Sequence, residues 1–413
     1  MTAMKKRSSK RAQRASIRPG LWSRGMIGTL GAQFLSALAD NALLFATLAL
    51  VRKQHYPAWS GPLLQEFFVG AYILLAPFVG MFADALPKGR VMLLANIGKL
   101  IGALGMCLHL NPFLSYALVG AGAAANSPAK YGILGELTTS QQLVKANSLL
   151  EASTIAAILL GAIAGGALAD WTIEGALMVI AGCYAGSALS ALFIPRLRRA
   201  DPRINLSFIA NMKAFALGIR TLWRNPNARL AVTGTALFWG AGAVLRFLVI
   251  AWVPVGLQVT NNRLPGFLTG MVAAGIVVGA ALAARFVRFN VVHRALPAGI
   301  LIGVGVCLLP LVKTLPVAFA VMAFVGTCSG FFVVPLDALL QREGERSVGV
   351  GPAIAIQNFF ENFGMLVLVS GYTAASFIRV PVNDIAVGVG LFIAVTMGAL
   401  GLAWRRSGKT AHR

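Results

Sequence analysis

Apolar stretches of some twenty residues recur along this chain, and their recurrence leaves few folds open to it. Ile385–Trp404 is one such run, and Met26–Val51 is another, interrupted mainly at Asp40 and Asn41. About 20 apolar residues make a helix long enough to cross roughly 30 Å of hydrocarbon. Only 12% of the residues are charged and 57% are hydrophobic. A soluble fold carries about 25% charged residues, so this chain has too few to cover a water-facing surface. The sequence therefore reads as an all-α integral membrane protein.

Breaks made of charges, Pro and Gly divide the chain into twelve spans. They fall near 26–51, 63–84, 91–110, 112–133, 147–170, 173–195, 229–258, 266–287, 295–313, 315–340, 350–378 and 385–404. The long segment 196–228 separates them six and six. The expected organisation is a basic tail (1–24), a first six-helix half (25–195), a linker (196–228), a second half (229–404) and a short tail (405–413). Within the linker, Phe208, Met212, Phe215, Ile219 and Leu222 recur at helical spacing beside Lys213, Arg220 and Arg224. That pattern predicts an amphipathic helix along a membrane face.

The net charge of +23 would suggest nucleic acid in a soluble protein. Here the basic residues sit at the edges of apolar runs, where they meet anionic headgroups and set topology. No basic stripe is interleaved with stacking aromatics, and a nucleic-acid partner is not expected. With the N-terminus placed in the cytoplasm, 30 Lys and Arg fall on the cytoplasmic side, counting Lys99 and Lys130, and 5 on the other; Arg246 is inside a span. Both termini are thus expected to be cytoplasmic. Ala37-Leu38-Ala39 resembles a signal-peptidase site, but the apolar run continues to Val51, so cleavage would halve a full-length span.

Several classes of chemistry drop out. Cys107, Cys183, Cys307 and Cys328 lie in apolar runs without CxxC spacing, and the four histidines are scattered, so neither disulfides nor a metal site is expected. The acyltransferase pairing of His with Asp five residues on is absent: Ser60, Leu114 and Ala298 follow His55, His109 and His293 at that distance. Gly408-Lys409-Thr410 ends like a phosphate-binding loop, but Ala403 stands where its first glycine belongs. No enzyme activity, cofactor or ATP drive is expected.

The halves look duplicated. At an offset of about 206, Asp40 aligns with Arg246, Pro128 with Pro335 and Glu136 with Glu343; Gly70 and Gly80 resemble Gly270 and Gly279 at a similar offset. Paired repeats around a midplane site are a signature of secondary transporters. An ionised side chain at mid-span costs ~2.5–3.5 kcal/mol on insertion scales, so it should be paired or face water. Asp40, Arg246 and Glu361 occupy such positions, and Lys130 lies toward one end of its span. An Asp40–Arg246 contact would relieve both desolvation costs. Asn41, Asn126, Asn358 and Asn362 add polar faces beside these charges, while Arg90, Lys99, Arg285 and Asp337 read as contacts at span ends. Gly161, Gly165 and Gly166 read as a small face for helix packing.

At this point the sequence resembles the bacterial lysophospholipid transporter family of the major facilitator superfamily. The likeness rests on Ala32–Phe45 (AQFLSALADNALLF), Ser127–Leu137 (SPAKYGILGEL), Glu151–Gly161 (EASTIAAILLG), Phe331–Leu336 (FFVVPL), Gln357-Asn358 and Glu361-Asn362. It covers nearly everything after about residue 20. The resemblance implies a major facilitator fold in a Gram-negative inner membrane. It also implies import of lysophosphatidylethanolamine and lysophosphatidylglycerol from the outer to the inner leaflet, where an acyltransferase, sometimes fused to an acyl-carrier-protein synthetase, would restore the diacyl lipid. The family's translocation residues carry over to Asp40, Lys130, Arg246 and Glu361. Arg246 and Lys130 suit a phosphate, Asp40 or Glu361 suits an ethanolamine ammonium, and Leu, Phe and Ala suit the acyl tail. One departure is the loop after the second span: Gly80 and Asp84 fit the superfamily's motif, but Leu86-Pro87 delays Gly89-Arg90 by two residues. The competing readings are a proton-coupled exporter of drugs or metabolites, in which Asp40 and Glu361 would carry protons, and a scaffold or scramblase subunit that does not itself transport.

Overall fold

The computed structural model describes residues 20–138, 143–195, 208–261, 263–287 and 294–410. The residues before 20, including most of the basic tail, and segment 196–207 lie outside the described part. Among the described residues, twelve principal helices run in chain order. The first six are α1 (Arg24–Lys53), α2 (Ser60–Ala85), α3 (Lys88–Cys107), α4 (Pro112–Gly132), α5 (Leu143–Trp171) and α6 (Ile173–Leu192). The second six are α7 (Pro226–Gly256), α8 (Arg263–Phe286), α9 (Leu296–Cys307), α10 (Leu315–Ser347), α11 (Val350–Phe377) and α12 (Val382–Thr410). A linker helix, Phe208–Arg224, connects the sets. Ten of the helices are long and apolar enough to cross a membrane on length and composition alone. The two others have identifiable reasons: Asn126, Ser127, Pro128 and Lys130 dilute α4, and α9 is a short helix continued by a 3₁₀ turn, Leu309–Leu311.

Short polar signals set the helix ends. Ser23 accepts a hydrogen bond from the Met26 amide at 3.3 Å, and Asn225 caps the amides of Asn227 and Ala228 with Pro226 inside the first turn. Such caps satisfy amides that have no partner within the helix. Leu86 is extended and Pro87 precedes α3, so the two extra residues noted in the sequence form the α2–α3 turn. The side chains of Gly80 and Asp84 lie outside the described residues.

The packing repeats between the halves. In the first, α1 packs on α5 and α6, α4 on α2 and α3, and α3 on α6. In the second, α7 packs on α11 and α12, α10 on α8 and α9, and α9 on α12. The same five pairings recur with each index raised by six. The halves meet where α2 lies on α11 and α5 on α8, again a symmetric pair. Small residues permit the closest crossings, as expected where helix association depends on backbone approach. A Cβ on Gly165 would come 2.6 Å from the Ala42 backbone, and one on Gly279 would come 2.0 Å from the Thr327 carbonyl oxygen. Gly161 faces Leu38 and Asn41 in the same way. Gly70, aligned with Gly270 in the sequence repeat, has open space around it, whereas Gly270 approaches Ile163. Backbone pairing is thus duplicated while individual glycine contacts are not.

On the linker helix part of the expected stripe is covered, while Met212 stays exposed. Leu222 is buried, Phe215 meets Phe359 edge-on at 5.6 Å, and Trp223 stacks on Phe360 at 5.3 Å. Ile209 and Leu217 on its other side stay exposed. The helix is therefore anchored on α11, within a turn of Glu361.

Candidate translocation site

The intramembrane charges fall into two groups, one in each half. In the first, Asp40 on α1 is held on both oxygens. Lys99 Nζ on α3 donates to Oδ2 at 2.7 Å, and the Tyr184 hydroxyl on α6 donates to Oδ1 at 2.8 Å. Lys99 also donates to Ser36 Oγ at 2.9 Å, and its side chain is 2% exposed. This corrects two sequence expectations. Lys99 is not a charge at a span end: it lies midway along α3 and neutralises Asp40. The expected Asp40–Arg246 contact does not form: Asp40 is paired within its own half, with Lys99 and Tyr184. The topological charge count therefore loses Lys99. The signal that could have identified it was its position, eight residues inside an apolar run that begins at Val91.

Beside this pair lies a cavity of about 50 Å³, walled by Gln33, Asp40, Lys99, Asn126 and Lys130 among others. Asp40 and Lys130 are therefore brought together, with the carboxylate already paired. Gln33 Oε1 and Asn126 Oδ1 are buried there without hydrogen-bond partners among the described residues. Tyr72 closes one side, and Tyr116 lies within electrostatic reach of both Asp40 and Arg246.

In the second half, Gln357 on α11 donates through Nε2 to two acids, Asp337 Oδ1 on α10 at 2.6 Å and Glu361 Oε1 at 2.7 Å. Thr235 and Trp239 on α7 also reach Glu361. Asp337, expected as a contact at a span end, thus belongs to the same hydrogen-bonded network as Glu361. Arg246 stands apart on α7. Its Nε is buried and has no hydrogen-bond partner among the described residues.

The four asparagines separate. Asn126 lines the cavity, whereas Asn41 bonds to the Ala37 carbonyl and faces Gly161 at the α1–α5 crossing. Asn362 bonds to the Asn358 carbonyl. Asn358 reaches across the halves to Ser127 Oγ at 3.4 Å. Farther from the linker helix the halves are joined more firmly: Thr373 donates to Glu66 at 2.7 Å, Arg263 pairs with Asp170 at 3.4 Å, and Trp59 meets Phe377 edge-on.

The chain is similar to known proteins along most of its length. The profile of the Major Facilitator Superfamily matches residues 29–369. Lysophospholipid transporter LplT of Escherichia coli O1:K1 is 54% identical over 386 residues, covering 94% of this chain and 97% of that protein. The LplT of Citrobacter koseri matches to the same extent. Among solved structures, a variant of the nucleoside transporter NupG superposes with a TM-score of 0.70 at 13% identity, covering 93% of this chain and 99% of its own. A bacterial homologue of the human lysosomal transporter Spinster gives 0.69 at 16% identity, covering 92% and 97%. At such identities these structures establish the fold alone.

Proposed function

This chain belongs to the lysophospholipid transporters of the major facilitator superfamily, and from that premise we propose that it moves lysophosphatidylethanolamine and lysophosphatidylglycerol from the outer to the inner leaflet of a bacterial inner membrane. It is a transporter and not an enzyme. A separate acyltransferase, alone or joined to an acyl-carrier-protein synthetase, re-acylates the delivered lipid. The observation that carries the reading is Arg246, a mid-span guanidinium whose buried Nε has no partner among the described residues. An unsatisfied buried donor is unfavourable, and a phosphate arriving between the halves matches its planar donors. Lys130 provides the second cation, and the apolar walls take the single acyl chain. Asp40, already neutralised by Lys99, keeps the first half's wall uncharged until substrate exchanges with one of its partners.

Both termini face the cytoplasm in this reading, supported by the charge asymmetry, which persists after Lys99 is removed from the count. Cysteine at Ala216 on the linker helix should react with an impermeant thiol reagent only after permeabilisation, and cysteine at Asn111 should react in intact spheroplasts. The reverse pattern overturns the orientation. The function itself is tested by headgroup-resolved flipping in proteoliposomes containing only this protein. Both lysolipids should cross at protein-dependent rates without ATP; no protein-dependent flipping would sink the proposal.

The Asp337–Gln357–Glu361 network favours one second reading, because a buried acid and a half-buried one sharing an amide can hold and release a proton. In that case an uncoupler should abolish transport and symmetrical liposomes should show none. Persistence of flipping without a gradient excludes it.

A further inference from the structure

The cavity in the first half has walls whose polar groups are mostly committed. Asp40 gives its two oxygens to Lys99 and Tyr184, and Ser36 accepts from Lys99. Two acceptors are left over. Gln33 Oε1 and Asn126 Oδ1 are unpartnered among the described residues, on residues only 4% exposed. Gln33 donates its Nε2 to Thr154 Oγ1 at 3.2 Å, which fixes the direction of its oxygen. Buried polar atoms in folded proteins are nearly always satisfied, and an orphan calls for an explanation. Here two orphans border one cavity, with Lys130 on the same wall. The complementary ligand fragment carries a hydrogen-bond donor beside an anion. At about 50 Å³ the space admits a small polar group and no acyl chain.

We infer that this pocket reads the free hydroxyl on the glycerol backbone of a lysolipid, its one hydrogen shared between the two amide oxygens in a three-centre bond while the adjoining phosphate lies toward Lys130. The inference rests on the lysophospholipid reading above and adds what makes the substrate "lyso". A diacyl lipid carries an ester at that carbon, with no O–H to donate and a second chain that the cavity excludes. Ethanolamine and glycerol headgroups differ in their donors, but lysolipids of both kinds share the backbone hydroxyl. Neutral amide oxygens also suit a hydroxyl better than an ammonium, whose natural partner, the Asp40 carboxylate, is occupied.

The test uses the full-length protein in proteoliposomes, with lysophosphatidylglycerol and its 2-deoxy analogue competing against labelled lysophosphatidylglycerol. Wild type should prefer the hydroxyl-bearing lipid about tenfold, the effect of one net hydrogen bond. Asn126→Leu and Gln33→Leu should bring that ratio close to one while binding the deoxy analogue about as well as wild type does. The ratio is internal to each preparation, so a poorly folded variant cannot mimic the result. Equal binding of both lipids by wild type overturns the inference, as does a variant that weakens both lipids with the ratio unchanged. A headgroup donor is the other source of the same chemistry. If the variants instead erase the preference for ethanolamine over its trimethylated form and retain the hydroxyl preference, the amides read the headgroup and the inference falls. If wild type binds no lysolipid at all, the proposed function has failed and the inference with it, a result distinct from every outcome of the deoxy arm.

Discussion

In the amino-terminal half, buried charge is matched on site: Lys99 and Tyr184 hold both oxygens of Asp40, and Lys99 is also tied to Ser36. In the carboxy-terminal half, the same helix pairings carry an unequal set of charges. Two acids share the amide of Gln357, while Arg246, at the repeat position of Asp40, has a buried Nε without a partner among the described residues. A duplicated backbone therefore supports two different electrostatic designs. The first half pairs its central charge and leaves only neutral amide acceptors unmet in a small polar recess, whereas the second leaves a cationic donor unmet. The difference teaches that repeat equivalence predicts where a charge sits, not what it meets. It also divides the labour: loss of Lys99 should show in stability, and loss of Arg246 should show in transport.

The comparison is broken most directly at Lys99. Lys99→Met leaves the Asp40 carboxylate, 23% exposed, with only a tyrosine; removing one partner of a fully buried pair costs about 3–5 kcal/mol, and this partly exposed one should cost somewhat less. The thermal midpoint in detergent should fall sharply. Adding Asp40→Asn should recover most of the loss, since an amide needs no counter-charge. If Lys99→Met melts like wild type, the pair does not hold the half together.

Arg246 should behave in the opposite way. Arg246→Ala should slow flipping about ten- to a hundredfold, the worth of a charge-assisted hydrogen bond to phosphate. The melting temperature should stay level or rise, because an unsatisfied donor is removed. Arg246→Lys should recover little, since a lysine cannot reproduce the planar fork. Near-normal flipping of both lysolipids by a well-inserted Arg246→Ala protein would move the phosphate contact to Lys130.

A third, smaller effect is expected at Gln357. Gln357→Leu removes the donor that Asp337 and Glu361 share, and the loss of a hydrogen bond costs roughly 0.5–1.5 kcal/mol. Glu361→Gln in that background should regain part of the loss by supplying an amide beside Asp337. No recovery would mean that Gln357 acts through packing on the linker-helix side of α11, away from the two acids.

Much of this molecule was legible before its structure. Long apolar runs, breaks at Pro and charge, and the offset of Asp40 from Arg246 are local or periodic signals, and they yielded the twelve helices and the duplication. The short α9 and the polar end of α4 also carry marks in the sequence, Pro310 within the turn Leu309–Leu311 and the polar run from Asn126 to Lys130. Side-chain partnership was not legible. Lys99 lies 59 residues from Asp40, and Tyr184 lies 144 away. Nothing in the spacing selects them over Arg246, which the repeat offered as an equally good partner. Asn41 and Asn126 likewise occupy similar polar contexts in sequence. Only the rotation of each helix puts one against Gly161 and the other on the cavity.

The smallest effect separates contacts within a half from contacts between halves. Lys53–Glu174 at 2.6 Å joins α1 to α6 inside the first half, and Arg263–Asp170 at 3.4 Å joins α8 to α5 across the division. Exposed pairs contribute little, a median of about 0–1 kcal/mol, and Arg263 is 57% exposed. Neither Lys53→Gln nor Arg263→Gln should move the melting temperature appreciably. They differ in what they bias. In a protein that rocks one half against the other, a contact across the division weights one state over the other, whereas a contact within a half moves as part of a rigid body. A loss of about 1 kcal/mol across the division changes that balance about fivefold. Spin labels at Glu174 and Asn261, near the ends of α6 and α8, should therefore report a larger population of long distances in Arg263→Gln than in its parent. Because a label at Glu174 already removes the Lys53 pair, the within-half comparison is made with labels at Trp171 and Asn261 in Lys53→Gln, where the distribution should be unchanged. If the two substitutions shift the distances equally, the pairs are interchangeable surface contacts and the halves do not move as the separate bodies that their packing implies.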